Sequence, residues 1–223
     1  MSRVYTKEQP SARYLALLDL YRGAHDDAPS AAEPDPAKTF TGISLAPHVR
    51  TVARLVQETG ARSILDYGCG KAGLYRDSPD HPPGSRFKVM DDWGGALVTC
   101  YDPGYAPFAG DYEAAYDGVI ATDVLEHIPE DDIDWVLGEL FGHARLFVYA
   151  VATCYPAKKR LPDGTNAHCT VRDPDWWRAR MAEAGQAHPE VRWLLCTKER
   201  SFWSLRKRKG IMKGGVKRTF FSS

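Results

Sequence analysis

A short apolar run that ends in closely spaced glycines constrains this chain more than any other feature. The run is Ser63–Tyr67, and the glycines that follow are Gly68, Gly70 and Gly73. Missing side chains at a G-x-G-x-x-G spacing permit a tight turn and let the backbone approach a ligand. The pattern predicts a buried strand that leads into a loop for a nucleotide-like cofactor. The plainer interpretation, in which the glycines only turn the chain, stays open.

Two further strands are predicted downstream, and an acidic residue follows each. The second strand, residues 96–101, ends at Asp102, and the third, residues 116–122, ends at Asp123. In a dinucleotide-binding fold, an acidic residue at the end of the second strand accepts hydrogen bonds from the ribose hydroxyls. Residues 77–95 are rich in Pro, Gly and Asp and predict a loop. Asp102 is therefore the candidate ribose ligand, with a strand-end turn residue as the alternative.

These segments together carry a family resemblance. Residues Leu65–Gly70, Tyr101–Pro103 and Tyr116–Ile120, followed by Val124–Ile128, resemble class I S-adenosylmethionine-dependent methyltransferases. The resemblance implies a Rossmann-like α/β fold with a mostly parallel central sheet flanked by helices. It also implies S-adenosylmethionine as the cofactor. The residues expected to bind that cofactor are Asp66, Tyr67, Gly68, Cys69, Gly70, Gly73, Asp102, Pro103 and Asp123.

The resemblance assigns parts of the cofactor to particular residues. Asp66 and the Gly68–Gly73 loop would face its methionine part, and Asp102 would take the ribose hydroxyls. Asp123 would lie near the cofactor or the reacting centre, with a helix N-cap as the plainer interpretation.

The chain departs from the family pattern between the second and third strands. Only fourteen residues separate Asp102 from Asp117, which is too few for the helix, strand and helix common in the family. We therefore expect the adenine side of the pocket to be shortened, with Asp111 as the nearest acidic candidate contact.

Candidate catalytic residues are Asp123, His127 and His168. His168 lies in a loop after a predicted strand at 145–152, and a histidine with its ordinary pKa near 6.5 suits removal of a proton from a hydroxyl or amine. Most of the rate would come from position, because in-line alignment can supply about 7–11 kcal/mol. A loop histidine that only bonds the backbone is the alternative for His168.

A metal-binding alternative uses these three side chains together with Glu126. Asp123, Glu126 and His127 lie within one helical turn, and His168 would join them from its loop. This arrangement resembles that of metal-dependent small-RNA 2′-O-methyltransferases. Leu-Glu-His-Ile also occurs in family members that bind no metal there, so our leading interpretation holds no metal.

Length and composition fit one α/β domain. The chain has 223 residues, of which 43% are hydrophobic and 26% charged, enough for one well-buried core. We predict a helical extension over residues 1–60 that packs on or caps the core, with helices at 12–22 and 47–58. The first of these helices has one apolar stripe, formed by Tyr14, Leu15, Leu17, Leu18 and Tyr21. The methyltransferase core would span residues 61–200, and a basic segment would span residues 201–223.

Charge is uneven although it sums to zero. From residue 198 onward there are nine Lys or Arg residues and one Glu, so the preceding residues carry about −8. The basic residues are Lys198, Arg200, Arg206, Lys207, Arg208, Lys209, Lys213, Lys217 and Arg218. This segment could attract RNA or another anionic ligand. A solvated final hairpin or frayed tail is the alternative.

The remaining expectations concern location and function. No apolar run is long enough to span a membrane, and the N-terminal residues lack a signal-peptide core, so a cytoplasmic protein is predicted. The five cysteines contain no C-x-x-C pair and are expected to be reduced. The predicted function is methylation of an oxygen or nitrogen of a small molecule, such as a saccharide or other metabolite. The alternatives are RNA methylation, a non-catalytic cofactor-binding pseudoenzyme, and an NAD-dependent oxidoreductase, which Glu126-His127-Ile128 disfavours.

Overall fold

A single sheet organises the chain. The computed structural model describes residues 4–26, 40–75, 89–112, 115–161, 163–200 and 216–222. Its strands are β1 (Ser63–Tyr67), β2 (Leu97–Tyr101), β3 (Tyr116–Thr122), β4 (Ala144–Thr153), β5 (Arg192–Glu199) and β6 (Val216–Phe221). They lie in the order β2-β1-β3-β4-β5-β6, and every neighbouring pair is parallel except β5 with β6. The predicted Rossmann-like α/β architecture is therefore confirmed at this level.

Helices cover both faces of the sheet. Those on the faces are α2 (Val49–Thr59), α3 (Val89–Asp92), α4 (Ile133–Gly142) and α5 (Pro174–Gln186), and a further helix is α1 (Ala12–Asp26). Because side chains alternate along a strand, neighbouring residues serve opposite cores. In β4, Val148 packs with α4 and α5, whereas Phe147 and Tyr149 pack with α2 and α3. Burial of both faces is what a parallel sheet requires.

Local sequence signals explain where helices begin. The Asp173 carboxylate accepts a hydrogen bond from the Trp176 backbone N–H at 2.8 Å, and Pro174 occupies the first position of α5. At α1 the Ser11 hydroxyl accepts from the Tyr14 N–H at 3.0 Å. The same hydroxyl donates to Asp132, which fixes the start of α1 beside α4.

The order of the strands reverses at β1. The chain runs from β1 to β2 at the sheet edge and then crosses back to β3 on the other side of β1. Ligands of open α/β sheets bind at such a reversal, outside the carboxyl ends of the strands. In the described part of the link between β2 and β3, the regular structure is a 3-10 turn at Ala106–Phe108, which agrees with the short connection expected here.

Several expectations needed correction. Residues 77–95 are not wholly a loop: Val89–Asp92 form α3, and Trp93 is 1% exposed, with its indole N–H donating to the Val49 carbonyl at 3.0 Å. Leu15, expected on the buried stripe of α1, is 50% exposed, because it lies off the face on which Leu17 packs. Within the basic segment, whose alternative was a final hairpin, Val216–Phe221 form a strand that pairs antiparallel with β5.

Two further findings concern the whole described chain. Among these residues, no helix combines the length and the apolar character that crossing a bilayer needs. All five cysteines carry free thiols.

Candidate functional site

A cavity of about 140 Å³ lies at the carboxyl ends of β1, β2 and β3, with α1 forming one wall. It lies at the reversal of strand order. The described residues that line it are Tyr14, Leu17, Leu18, Tyr21, Phe40, Gly42, Ser44, Tyr67, Gly68, Gly70, Asp102, Pro103, Gly104, Thr122, Asp123, Val124, His127, Ile128 and Pro129. The structure thus brings Tyr67, Gly68, Gly70, Asp102, Pro103 and Asp123, of the predicted cofactor residues, to one space.

Close contacts with neighbouring segments require glycine at two positions of the loop, Gly68 and Gly70. Gly70 has φ +58°, and a Cβ there would lie 2.3 Å from the Phe40 carbonyl oxygen. At Gly68, with φ +79°, a Cβ would lie 2.4 Å from a methyl group of Val124. Larger residues at these two positions would force the neighbouring segments away from the cavity.

Backbone N–H groups of the loop are all engaged within the protein. Those of Gly68 and Cys69 donate to the Tyr101 carbonyl, and that of Gly70 donates to Asp102. The next three, in residues 71–73, donate to carbonyls of Phe40, Cys69 and Thr41. The loop therefore offers a ligand its shape and its carbonyl groups more than free donors.

Asp102 holds the loop and faces the cavity. Its carboxylate accepts from the N–H groups of Gly70 and Gly104, each at 2.8 Å. Burial raises the pKa of this carboxyl, and the backbone donors oppose that rise. Each oxygen keeps a lone pair for a further donor such as a ribose hydroxyl.

Asp66, Cys69 and Gly73 lie outside the lining of the cavity. Asp66 is buried beneath the loop, where Tyr75 donates to Oδ2 at 2.8 Å and no described group donates to Oδ1. Burial raises the pKa of its carboxyl to about 7. A Cβ at Gly73 would lie 2.6 Å from the Thr41 carbonyl oxygen, so this glycine serves packing.

Asp123 is held by Lys198, the first of the basic residues that give the end of the chain its positive charge. Lys198 Nζ, at the end of β5, lies 2.7 Å from Oδ1 and 2.5 Å from Oδ2 of Asp123. The Thr153 hydroxyl donates to the same carboxylate at 3.2 Å. Asp123 has φ +56° and is not a helix N-cap, because Val124 precedes the next 3-10 turn. The N-cap interpretation of Asp123 is therefore wrong.

Behind Asp123 lies a group of three other side chains, Glu126, His127 and His168. One possible ligand atom from each lies within 4.8 Å of the others. Glu126 is fully buried, and burial, with the nearby Asp123 charge, raises the pKa of its carboxyl to about 8. Burial lowers the pKa of both imidazoles, that of His127 to about 4.

The three predicted catalytic residues are close together, but they do not all reach the cavity. Asp123 and His127 line it, whereas His168 does not. The rings of His127 and His168 meet edge to face with centroids 4.9 Å apart. Asp111, the candidate adenine contact, is exposed and lies outside the lining.

Sequence reasoning missed the wall that α1 contributes. Tyr14, Leu17 and Tyr21 face the cavity, and the Tyr21 hydroxyl donates to the Ala167 carbonyl at 2.7 Å. The predicted apolar stripe of this helix indicated that one of its faces is buried. It did not indicate which part of the protein that face contacts. Lys198 had a signal too, since carboxyl ends of parallel strands meet at one edge of the sheet.

No protein-family model matches this chain, and no curated protein matches it.

Proposed function

We propose that this protein is an S-adenosylmethionine-dependent methyltransferase that methylates an oxygen or nitrogen of a small molecule. The observation that carries the proposal is the cavity at the carboxyl ends of β1, β2 and β3. There the glycine loop, the strand-end Asp102 and Asp123 surround one space. This is where an open α/β sheet binds a nucleoside-containing ligand.

The chemistry of the lining favours S-adenosylmethionine over NAD. A pyrophosphate needs backbone N–H donors or basic side chains, but the loop N–H groups already donate inside the protein. No Lys or Arg occurs among the described residues of the lining. S-adenosylmethionine carries no phosphate, and its sulfonium cation suits a carboxylate and aromatic faces such as those of Tyr14, Tyr21 and Phe40.

The reaction itself is an in-line displacement. The acceptor oxygen or nitrogen forms a bond to the methyl carbon as the carbon–sulfur bond breaks, and S-adenosylhomocysteine leaves. The proton lost by the acceptor passes to a base, for which His168 and His127 are the candidates. His127 lines the cavity and is the candidate within reach of a bound acceptor. Alignment of the three reacting atoms would supply about 7–11 kcal/mol.

A small acceptor is favoured over RNA by the contacts of the basic residues from Lys198 onward. Lys198 pairs with Asp123, Arg218 pairs with Glu199 at 3.0 Å, and Arg200 lies over the Tyr155 ring. Each of these three cationic side chains therefore already interacts with another side chain of the protein. Arg206, Lys207, Arg208, Lys209 and Lys213, on which RNA methylation would depend, lie outside the described residues.

Calorimetric titration with S-adenosylmethionine, S-adenosylhomocysteine and NAD tests the proposal. We expect the first two to bind with dissociation constants on the order of micromolar, and NAD not to bind. Methyl transfer to a panel of hydroxyl and amine metabolites then tests catalysis. Preferential NAD binding would restore the oxidoreductase alternative. Tight S-adenosylmethionine binding with no transfer to any small molecule or RNA would favour a pseudoenzyme.

A further inference from the structure

We propose that the acceptor of the methyl group is an uncharged aromatic compound that carries its hydroxyl or amino group on the ring. This acceptor class rests on the proposed function and narrows it from small molecules in general to one kind of molecule. The observations come from one side of the cavity, where α1 meets the segment that follows β3. We call this side the acceptor wall and define it by the side chains of Leu17, Leu18, Tyr21, Phe40, His127 and Ile128.

The acceptor wall and the candidate ribose site belong to different strand ends. Asp102 directly follows β2, whereas Val124–Ile128 follow β3, and β1 lies between these two strands. Neighbouring strands are about 4.8 Å apart, so the ends of β2 and β3 lie roughly 10 Å apart across the sheet. A cofactor with its ribose at Asp102 and its methionine part along the glycine loop would therefore direct its methyl group toward the acceptor wall.

Three aromatic rings of the acceptor wall form a corner. The ring centroids lie 5.4 Å apart for Tyr21 and Phe40, 5.6 Å for Tyr21 and His127, and 6.4 Å for Phe40 and His127. All three pairs meet edge to face, which is a favourable arrangement of aromatic rings. Leu17 and Leu18 precede Tyr21 by one helical turn and lie on the same face of α1. A flat ring suits this surface, because it can pack on the rings and on both leucines.

The polar groups of the acceptor wall already bond one another. The Tyr21 hydroxyl donates to the Ala167 carbonyl at 2.7 Å and lies 2.7 Å from His127 Nδ1. His127 Nδ1 also lies 2.8 Å from that carbonyl oxygen, which can only accept, so Nδ1 carries the hydrogen of the neutral ring. The lone pair on Nε2 then remains for a proton of the acceptor. One hydroxyl or amino group is matched by this lone pair, whereas the several hydroxyls of a saccharide would lack partners here.

The charges of the lining disfavour an anionic acceptor. The lining contains Asp102 and Asp123, and no Lys or Arg occurs among its described residues. Two cations contact lining residues without belonging to the lining. Lys198 Nζ contacts both oxygens of Asp123, and Lys159 Nζ lies 4.1 Å from the centroid of the Phe40 ring. A carboxylate or phosphate of the acceptor would therefore be buried without a cation of the lining to pair with it.

Contacts on both sides of the cavity hold α1 in place. Arg22 Nε donates to the Pro103 carbonyl at 3.3 Å, next to the end of β2. Tyr21 bonds Ala167, in the loop after β4, and the Ser11 N–H donates to Asp132 at 2.9 Å at the start of the helix. The acceptor wall is thus formed before a ligand arrives, and a rigid ring loses little conformational freedom on binding to it.

Calorimetric titration with matched pairs of compounds tests the acceptor class. Phenol and cyclohexanol differ in the flatness of the ring, and methyl para-hydroxybenzoate and para-hydroxybenzoate differ in charge. Each is titrated into the full chain with and without S-adenosylhomocysteine, and methyl transfer to each from S-adenosylmethionine is measured. We expect the first member of each pair to bind at least about tenfold more tightly and to be methylated. Preferential binding of methyl glucoside or of para-hydroxybenzoate would overturn the assignment.

Two leucine variants of α1 locate the bound ring. Leu18→Ala enlarges the acceptor wall, so phenol should bind about tenfold more weakly and the larger naphthol should lose less affinity. Leu15→Ala is the matched control, because Leu15 is 50% exposed on another face of α1, and it should bind both compounds as the wild type does. Thermal unfolding monitored by circular dichroism verifies that both variants are folded. Equal phenol affinity in all three folded proteins would place the ring elsewhere and contradict the assignment.

Cofactor binding and acceptor binding are measured separately, so the two proposals can fail separately. Binding of S-adenosylmethionine without binding or methylation of any aromatic compound would overturn the acceptor class and leave the methyltransferase proposal in place. Binding of phenol that Leu18→Ala weakens, in a protein that does not bind S-adenosylmethionine, would refute methyl transfer and the acceptor role together. The aromatic binding site itself would then stand.

Discussion

At the scale of single residues, Asp102 has two tasks at the cavity. It accepts hydrogen bonds from the loop at Gly70 and from Gly104, and it is the candidate partner of the ribose hydroxyls. Hydrogen bonds to a charged group contribute about 1.5–3 kcal/mol. If the proposed function holds, the residue links the shape of the loop to the affinity for S-adenosylmethionine.

Replacing Asp102 by Ala should lower the affinity for S-adenosylmethionine by about 10- to 100-fold, because the ribose loses a charged acceptor. Calorimetric titration of the folded variant measures the effect. Asp111→Ala is the matched control, since this aspartate is exposed and outside the cavity lining, and it should bind like the wild type. Unchanged affinity in the Asp102 variant would exclude the ribose assignment.

The buried Asp66 should make stability depend on pH. Burial raises the pKa of its carboxyl from 3.8 to about 7, so the protonated form is favoured in the folded state. Below about pH 4 the group is neutral in both states and carries no penalty. As the pH rises to about 7 the wild type loses up to roughly 4 kcal/mol of stability from this group.

Asp66→Asn removes this penalty. The free energy of unfolding of the variant, relative to wild type, should therefore increase between about pH 4 and 7 and then level off. Urea unfolding at several pH values measures it. Tyr75→Phe is a useful companion variant that keeps Asp66. It removes the hydrogen bond that favours the charged form of Asp66, so its stability should fall more than that of the wild type as the pH rises. A difference that stays constant with pH would contradict the assignment.

At the scale of elements, the glycine loop depends on the segment ahead of α2. The N–H groups of Lys71 and Gly73 donate to the carbonyls of Phe40 and Thr41, at 2.7 and 2.8 Å. Residues 40–41 therefore pack against the glycine loop, and Phe40 lines the cavity. The shape of the cavity is thus a property of the two segments together.

Gly70→Ala should push the glycine loop away from the segment that contains Phe40. A Cβ there meets the Phe40 carbonyl at 2.3 Å in addition to the strain of φ +58°. Gly164→Ala is the matched control, because Gly164 has φ +85° but nothing within 4 Å of the added Cβ. Strain alone costs about 1–2 kcal/mol. We expect urea unfolding to show a clearly larger decrease in the free energy of unfolding for Gly70→Ala than for Gly164→Ala. Only Gly70→Ala should also lose S-adenosylmethionine binding.

At the scale of the whole molecule, the cavity and the C-terminal strand are at different places in the sheet. The described residues of the lining all lie between Tyr14 and Pro129, whereas β6 covers the free edge of β5. An uncovered edge strand is a template for association between chains. Residues 216–221 of the basic segment therefore have a structural role, which does not depend on any ligand of that segment.

Deletion of residues 201–223 should lower the free energy of unfolding and promote self-association. The affinity of the folded fraction for S-adenosylmethionine should change by less than about threefold, well below the tenfold that 1.4 kcal/mol gives. Light scattering and calorimetry measure the two effects. Replacing Arg206, Lys207, Arg208, Lys209 and Lys213 by Gln in the full chain is the control, and should preserve assembly state. Loss of cofactor binding in the deletion would place the tail in the site.

Local pattern alone determined most of the elements. Strands at 63–67, 97–101, 116–122 and 144–153 follow from short apolar runs bounded by turn residues, and α5 follows from its cap and proline. The strand-end positions of Gly68, Asp102 and Asp123 follow too, because parallel strands place their carboxyl ends at one edge. Such signals are carried by neighbours in the sequence.

Only the tertiary structure decided what these residues contact. The pairing of Lys198 with Asp123 joins residues 75 apart in sequence, and the packing of Phe40 on Gly70 joins segments separated by β1 and α2. The convergence of Glu126 with His168 is set by how the loop after β4 folds back under α1. Periodicity records which face of an element is buried, but not the partner that buries it, because many partners would satisfy the same apolar face.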